Sequence, residues 1–324
     1  MRTDNYITVA LDGTGGDNVD PQSVASAVRF ATVFEPKLKV IVYGDKKLQT
    51  ALESQKISPD RNQFEYAPVV IAQDEEPRKV ISGFLNSAMR LAIEAVKDKK
   101  AAVAESSGGT GPLVCLSRHI LGVIDSVRPA LCAKIPAGPG RYSLMLDLGA
   151  NALSGSEDMY EFALLGSAAY KSMFNTARPR DSILNVGTER NKGSAKVKEA
   201  RDLVESNSKI NFVGFVEANN MFCDYADVIV TDGFTGNVAL KAAEGVASVF
   251  LNAHGIKKFF SMLARPDWLE PWQYNGSMLL GVDGLVVKSH ASAGKEAVAV
   301  ALVQAYKLAR QNIVENIKNE LKKA

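Results

Sequence analysis

The chain has 324 residues, of which 46% are hydrophobic and 23% are charged, a composition that is ordinary for a globular protein with a large core. Its 38 basic and 36 acidic residues give a formal net charge of +2, which is too small to indicate a nucleic-acid-binding protein. No apolar run approaches the length of a transmembrane helix, and the N-terminus lacks the apolar core of a signal peptide, so we expect a cytoplasmic protein. The three cysteines are far apart, which favours reduced thiols over a disulfide framework or a zinc site.

Short apolar segments alternate with amphipathic segments through the first half of the chain. The pattern predicts strands at Tyr6–Leu11, Lys39–Tyr43, Gln63–Ala72 and Ala101–Ala104. It predicts helices at Gln22–Phe34, Lys46–Gln55 and Val80–Asp98, and a further helix from about Pro112. This alternation is typical of a parallel sheet whose two faces are covered by helices.

The second half of the chain continues in the same way. Strands are predicted at Ala130–Ile135, Ser143–Leu148, Ser182–Val186, Asn211–Val216 and Asp227–Thr231. Helices are predicted at Glu157–Phe174, Ser194–Ser206, Gly236–Ala253 and Ala293–Lys322. We therefore expect a doubly wound α/β fold with a mostly parallel sheet, forming a single two-lobed catalytic domain over residues 1–324.

Five polar turns that contain glycine follow predicted strands. They are DGTGGDN (12–18), SSGGTG (106–111), DLGAN (147–151), NVGTERNKGS (185–194) and DGFTGN (232–237). Ligands of open α/β sheets bind beyond the carboxyl ends of the strands. Glycine admits close approach to backbone amides, and a following helix N-terminus favours phosphate. We predict that these turns converge on one anion.

Established nucleotide and nucleophile motifs do not fit these turns. The dinucleotide fingerprint fails because Asn18 stands where its third glycine belongs, although Asp45 at the end of a strand keeps a nicotinamide-dependent dehydrogenase open. The P-loop fails because Lys192 precedes its glycine, and no G-x-S-x-G elbow is present. Phosphate-binding turns without a nucleophilic side chain suggest that phosphate is itself the nucleophile, attacking a thioester to form an acyl phosphate.

The segment ADVIVTDGFTGNVALKAAEG (226–245) resembles the most distinctive block of the PlsX family, the acyl-[acyl carrier protein]:phosphate acyltransferases of bacterial phospholipid synthesis. DGTGGD, SSGGTG, DLGAN, ILNVGTERNKG and LLGVDGLVVKSH resemble its other blocks, in the same order. The resemblance covers about residues 6–307. It implies an isocitrate/isopropylmalate-dehydrogenase-like α/β fold, a homodimer, acyl carrier protein and phosphate as substrates, and no metal or nucleotide cofactor.

Matching the family blocks also suggests the site residues. Lys192 is the candidate for binding phosphate or the oxyanion, His290 for positioning phosphate or assisting departure of the thiol, and Asp232 is the third predicted catalytic residue. The predicted substrate-binding residues are Asp12, Gly15, Gly16, Asp17, Ser107, Thr110, Asn151, Gly187, Thr235, Gly236, Asn237 and Lys288. Asp232 and Thr235 are equally compatible with capping of the following helix.

Three segments differ from the family pattern or stand apart from the turns. Gly109 occupies a position where the family usually has asparagine, and FVGFVEANN (212–220, including Ala218) replaces another substrate turn. In 254–272, one helical stripe carries Ile256, Phe259, Phe260 and Leu263 beside basic residues. That stripe is typical of a helix that docks on a membrane surface or an acidic partner, or one that packs on the protein itself.

Two further functions stay open at this point. A phosphotransacetylase that uses coenzyme A would perform the same chemistry on another thioester. A divergent relative that binds carrier protein or membrane without turnover would keep the turns and lose the activity, and the change at Gly109 is compatible with it.

Overall fold

The computed structural model describes residues 6–17, 19–252, 275–290 and 294–322. Within these residues the chain forms two compact units, unit 1 from Met1–Pro129 and Asn275–Lys323, and unit 2 from Ala130–Tyr274. The prediction of one two-lobed catalytic domain over 1–324 stays a prediction.

Strands and helices alternate along both units. The strands are β1 (Ile7–Asp12), β2 (Leu38–Gly44), β3 (Asn62–Tyr66), β4 (Val103–Ser106), β5 (Ala130–Pro136), β6 (Tyr142–Leu146), β7 (Arg180–Leu184), β8 (Asn211–Val216), β9 (Val228–Val230), β10 (Ser277–Leu280) and β11 (Leu285–Lys288). The helices are α1 (Pro21–Phe34), α2 (Lys46–Ser54), α3 (Pro77–Ser82), α4 (Ala88–Lys97), α5 (Thr110–Leu121), α6 (Ser156–Phe174), α7 (Ala195–Ser206), α8 (Gly233–Asn252), α9 (Lys295–Arg310) and α10 (Ile313–Leu321).

Unit 1 is built on strands in the order β3-β2-β1-β4-β11-β10. The first five are parallel, and β10 pairs antiparallel with β11. Their core is apolar: Val9, Val103 and Val286 are fully buried. The parallel register places the carboxyl ends of β1, β4 and β11 side by side, because Asp12 lies opposite Ser106 and Ser106 opposite Lys288.

Unit 2 has strands in the order β5-β6-β9-β7-β8. All but β5 run parallel. Leu146 lies opposite Val230, and Val230 opposite Ile183, so the carboxyl ends of β6, β9 and β7 share one edge. The predicted mostly parallel α/β fold is confirmed.

Several elements differ from the predictions. The strand predicted at Gln63–Ala72 ends at Tyr66, because β3 spans Asn62–Tyr66. The predicted helix Val80–Asp98 is two helices, α3 and α4, because the chain leaves the helix at Gly83 and Phe84 has a positive φ of 53°. The predicted helix Ala293–Lys322 is divided at Asn312, whose φ is 52°. The strands β10 and β11 were not predicted, because each spans four residues. The helix predicted from Gly236 begins three residues earlier, at Gly233.

Candidate functional site

A buried polar group, which we call the Asp12 cluster (Asp12, Glu105, Ser106, Lys288 and Ser289), lies at the carboxyl ends of β1, β4 and β11 in unit 1. The Ser106 hydroxyl donates to Asp12 Oδ2 at 2.7 Å, and the backbone N–H of Gly108 donates to the Ser106 hydroxyl at 3.0 Å. The opposite carboxylate oxygen of Asp12 accepts from the Thr14 N–H at 3.2 Å. Burial raises the pKa of Asp12 above its ordinary value, and the hydrogen bond from Ser106 partly opposes this shift. The predicted site residue Asp12 is therefore a tightly bound, 4% exposed carboxyl.

Glu105 is the group of this cluster that the sequence did not predict. The strand was expected to end at Ala104, but β4 continues to Ser106 and buries the Glu105 side chain completely. Glu105 Oε1 accepts a short hydrogen bond from the Ser289 hydroxyl, and burial is the main cause that raises its pKa to about 8. The signal in the sequence that could have pointed to Glu105 was a carboxyl group next to the small and apolar residues of a predicted strand.

Glycines let the turns of the Asp12 cluster pack closely. A Cβ on Gly15 would lie 2.6 Å from both Asp12 Oδ2 and the Gly108 nitrogen, so no larger residue fits between these two turns. A Cβ on Gly109 would lie 2.3 Å from the carbonyl oxygen of Gln73. Gly109, which stands where the family usually has asparagine, therefore lies where the backbone of Gln73 packs closely against this turn.

Replacing Gly109 by alanine is expected to destabilise the protein by about 1–3 kcal/mol, because the added methyl group overlaps the Gln73 backbone. Gly111→Ala is the matched control, since a Cβ there meets no atom within 4 Å in the part of the chain that the structure describes. Urea unfolding of the two variants measures the difference. Equal unfolding midpoints would contradict the close packing at Gly109.

A second buried group, which we call the Asp147 cluster (Asp147, Asn151, Gly233 and Gly236), follows β6 and β9 in unit 2. Asp147 is fully buried and accepts four hydrogen bonds, from the N–H groups of Leu131, Ala150 and Asn151 and from the Asn151 side-chain amide, at 2.8–3.1 Å. Burial nevertheless raises the pKa of its carboxyl. The predicted site residue Asn151 is thus bound to Asp147, which organises the DLGAN turn.

Helix α8 begins directly against this turn. A Cβ on Gly233 would lie 2.1 Å from the Asn151 carbonyl oxygen, and one on Gly236 would lie 2.2 Å from the Asp147 carbonyl oxygen. The two glycines are three residues apart, so both face the turn from the first helical turn. Together they bring the N-terminus of α8 to the edge where the strands end.

Asp232 and Thr235 have the contacts of a helix cap. Asp232 Oδ1 accepts from the Thr235 N–H at 2.9 Å, and Oδ2 accepts from the Thr235 hydroxyl at 2.7 Å. This is the N-cap arrangement that supports the first turn of a helix. Thr235 is exposed, and Asn237 lies beside Gly149 of the DLGAN turn. The capping contact is observed, while a role of Asp232 in the reaction stays a prediction.

Lys192 lies in the turn between β7 and α7, at the same sheet edge. The Asn185 side-chain amide donates to the carbonyl oxygens of Gly187 and Lys192 at 3.1 and 3.2 Å, which closes the turn. Gly193 has a φ of 93°, and a Cβ there would lie 2.3 Å from the Asn185 side chain. The Lys192 side chain is exposed to solvent. The turn therefore presents the Lys192 ammonium group to solvent, shortly before the N-terminus of α7.

The structure groups the predicted residues within each unit. Those in unit 1 are Asp12, Gly15, Gly16, Asp17, Ser107, Thr110, Lys288 and His290, and those in unit 2 are Asn151, Gly187, Lys192, Asp232, Thr235, Gly236 and Asn237. Asp17 and His290 are exposed, whereas Ser107 and Lys288 are buried. Sequence reasoning missed Glu105, Asp147 and Ser289, although Asp147 opens the DLGAN turn. The convergence of the five turns on one anion stays a prediction, and Asn18 lies outside the described residues.

Neither a metal site nor a membrane-spanning helix is found in the described residues. Across the described residues, no group of three or more His, Cys, Asp and Glu side chains is placed to hold a metal ion. In the same part of the chain, no helix has the length and apolar character needed to cross a membrane. The predicted docking segment 254–272, with Ile256, Phe259, Phe260 and Leu263, lies outside the described residues.

Similar structures share the fold at low sequence identity. A phosphotransacetylase from Streptococcus pyogenes aligns with a TM-score of 0.65 at 15% identity, covering 94% of each chain. A 4-hydroxythreonine-4-phosphate dehydrogenase from Klebsiella pneumoniae aligns with a TM-score of 0.58 at 12% identity, covering 94% of this chain and 99% of the other. At these identities the likeness establishes the fold alone, and it agrees with the predicted dehydrogenase-like α/β architecture.

Similar sequences extend over nearly the whole chain. A phosphate acyltransferase from Vibrio campbellii is 39% identical over 97% of this chain and 96% of its own length. The family model described as fatty acid synthesis protein matches residues 7–316. With both the sequence match and the sheet-edge turns in place, the chain belongs to the fatty acid synthesis protein family, which confirms the resemblance found in its motifs.

Proposed function

We propose that the protein is a phosphate acyltransferase that converts acyl-[acyl carrier protein] and inorganic phosphate to acyl phosphate and free carrier protein, in phospholipid biosynthesis. The observation that carries the proposal is the 39% identity, over nearly the full length of both chains, to a relative named phosphate acyltransferase. The carrier protein as acyl donor rests on the resemblance of the glycine-containing turns to the PlsX family.

The proposed reaction needs no covalent intermediate on the protein. A phosphate oxygen attacks the thioester carbonyl carbon, a C–O bond forms, and the tetrahedral intermediate collapses with cleavage of the C–S bond. The thiolate leaves and takes a proton from solvent, since an ordinary thiol has a pKa of about 8.5. The protein then has to bind and align phosphate and stabilise the oxyanion.

The contacts in the Lys192 turn support its proposed role. The Lys192 amine is exposed on a turn that Asn185 closes, so it can reach a phosphate dianion. The unpaired N–H groups at the start of a helix also favour phosphate nearby. Asp232 is proposed to act by holding the first turn of α8, because both of its carboxylate oxygens bind Thr235. His290 and Lys288 keep the roles predicted from the family blocks.

Phosphate-dependent thiol release tests the function. The purified protein, incubated with an acyl carrier protein thioester and inorganic phosphate, is expected to release free thiol and acyl phosphate in equal amounts. Omitting phosphate is the control, and should abolish release. A faster reaction with acyl coenzyme A would instead favour a phosphotransacetylase, and carrier-protein binding without turnover would favour a non-catalytic relative.

We also propose a homodimer and a peripheral membrane contact. Both rest on the family resemblance, and the contact also rests on the apolar stripe of Ile256, Phe259, Phe260 and Leu263 beside basic residues. Sedimentation of the protein alone tests the dimer. Co-sedimentation with vesicles that contain anionic lipid, compared with a Phe259→Glu and Phe260→Glu double variant, tests the contact. Equal binding of both proteins to the vesicles would contradict it.

A further inference from the structure

Glu105 is a fully buried carboxyl whose second oxygen has no hydrogen-bond partner among the described residues. Its side chain is 0% exposed within β4, between β1 and β11. Oε1 accepts from the Ser289 hydroxyl, whereas Oε2 is buried and finds no partner in the described part of the chain. A buried carboxylate with an unpaired oxygen is costly, while the neutral acid is much less so. The surroundings therefore favour the protonated form.

The partner of Glu105 is the centre of a small network. Ser289 Oγ also accepts from Asn275 Nδ2 at 3.2 Å, and Asn275 Oδ1 accepts from the His290 N–H at 3.0 Å. Asn275 Nδ2 is anchored in turn on the carbonyl oxygen of Ala297 in α9 at 2.8 Å. Ser289 is thus held between Glu105 on β4 and Asn275 before β10.

Ser289 lies between two predicted site residues in the chain. Lys288 precedes it and His290 follows it, and the Lys288 amine donates to the Ser289 carbonyl oxygen. The Ser289 N–H donates to the Ser106 carbonyl oxygen at 2.9 Å, which joins the segment to β4 through the backbone as well. A displacement of Ser289 would therefore move both neighbours.

Charged and titratable groups lie on the elements packed around β4, and two of them act on Glu105. Burial is the largest influence and raises the pKa of Glu105 to about 8, the hydrogen bond from Ser289 lowers it, and of the two nearby charges Asp12 from β1 raises it and Lys288 from β11 lowers it. From α4, Arg90 is buried with its guanidinium bound to carbonyl oxygens that include that of Ile81. The buried face of α9 carries Tyr306 as its titratable residue.

We propose that Glu105 is a positioning residue for the proposed acyl transfer: its neutral carboxyl holds the Ser289 hydroxyl and thereby sets the positions of Lys288 and His290. The inference rests on the proposed function of the same site. Ionisation of Glu105 would leave a charged oxygen without a donor, and the nearby Lys288 amine would be drawn from the Ser289 carbonyl oxygen towards it. A misplacement of about 1 Å in a reacting group costs about 100-fold in rate.

Glu105→Gln separates this role from simple packing. Glutamine keeps the size and the acceptor oxygen of the neutral acid but does not ionise. We expect the variant to retain kcat/KM within about twofold of the wild type near neutral pH, and to lose the fall in kcat that ionisation causes in the wild type above about pH 8. Glu105→Ala and Ser289→Ala, which break the hydrogen bond, are expected to lower kcat by about tenfold or more.

Asp181→Asn is the matched control. Asp181 is a buried carboxyl on β7 that accepts from Ser167 at 3.2 Å and has one oxygen without a partner among the residues described, but it lies at the amino-terminal end of its strand in unit 2. Its variant should keep the wild-type pH profile. The inference would be overturned if kcat of Glu105→Gln still fell at the same pH as kcat of the wild type. A tenfold loss of kcat/KM in Glu105→Gln near neutral pH would also overturn it.

Unfolding provides a readout that does not need activity. The folded protein holds the Glu105 proton up to about pH 8, whereas an ordinary glutamic acid releases it near 4.5. Between pH 4.5 and about pH 8, the wild type should therefore lose stability relative to Glu105→Gln as the pH rises. Above about pH 8, the difference between the urea midpoints of the two proteins should stay constant. A difference between the midpoints that is constant with pH would overturn the inference.

A wild type without phosphate-dependent turnover would contradict the proposed function. Turnover in the wild type, with an unchanged pH profile in Glu105→Gln, would contradict only the role of Glu105.

Discussion

Lys192→Ala is expected to lower kcat/KM for phosphate-dependent thiol release by about 10²–10³, with little change in the unfolding midpoint. The loss follows from removing a cation that binds phosphate or the oxyanion in the transition state. The fold should tolerate the change, because the side chain is exposed and the backbone of Lys192 makes the contacts that close the turn. Its N–H donates to the Glu189 carbonyl oxygen at 3.0 Å, a bond that alanine keeps.

Lys196→Ala is the matched control for this prediction. Lys196 is an exposed lysine of the same local sequence, four residues further on and within the first turn of α7. Its removal changes the net charge equally but should leave kcat/KM within about twofold, since Lys196 lies outside the NVGTERNKGS turn and exposed substitutions usually have small effects. Similar losses in the two variants would indicate a general electrostatic effect and contradict a specific role for Lys192.

Gly236→Ala is expected to destabilise the protein by about 1–3 kcal/mol or more and to lower activity. The new Cβ would lie 2.2 Å from the Asp147 carbonyl oxygen and 2.5 Å from Thr231 Cγ2, and neither neighbour is the end of a flexible side chain. Relief requires α8 to move away from the DLGAN turn, which would displace the hydrogen-bonded Asp147. Urea unfolding and the thiol-release assay measure the two effects.

The same helix supplies the control. Gly245 lies in the interior of α8, and a Cβ there meets no atom of the described residues within 4 Å. Gly245→Ala should therefore stabilise the helix by up to about 1 kcal/mol, because alanine is the stronger helix former. The opposite signs expected at the two glycines isolate the close approach at Gly236. Stabilisation by both substitutions would show that α8 does not pack on the turn as described.

Local patterns predicted the elements that are long or strongly periodic. Strand β8 was predicted with its observed bounds, Asn211–Val216, and α1 to within one residue. The short hairpin strands β10 and β11 escaped detection because four residues carry too little periodicity. The breaks at Phe84 and Asn312 depend on a positive φ that neither residue requires by its type.

The candidate site was predicted as a set of turns rather than as contacts. The glycines and polar residues of those turns were visible, because the strand pattern ends where they begin. Sequence reasoning left open whether Asp232 and Thr235 cap a helix, and the structure shows that they do. It did not find Glu105 or Asp147, whose importance comes from complete burial.

By itself the sequence determined the alternation of strands and helices, the turns at the strand ends and the family, since all three are carried by residues near one another in the chain. The tertiary structure alone decided that Asp12, Ser106 and Lys288 stand side by side, and that Glu105 lies buried with one oxygen that no described residue binds. The physical reason is that strand order, register and burial depend on contacts between residues far apart in the chain, such as Glu105 and Ser289, which are 184 positions apart. No local periodicity encodes such a pairing.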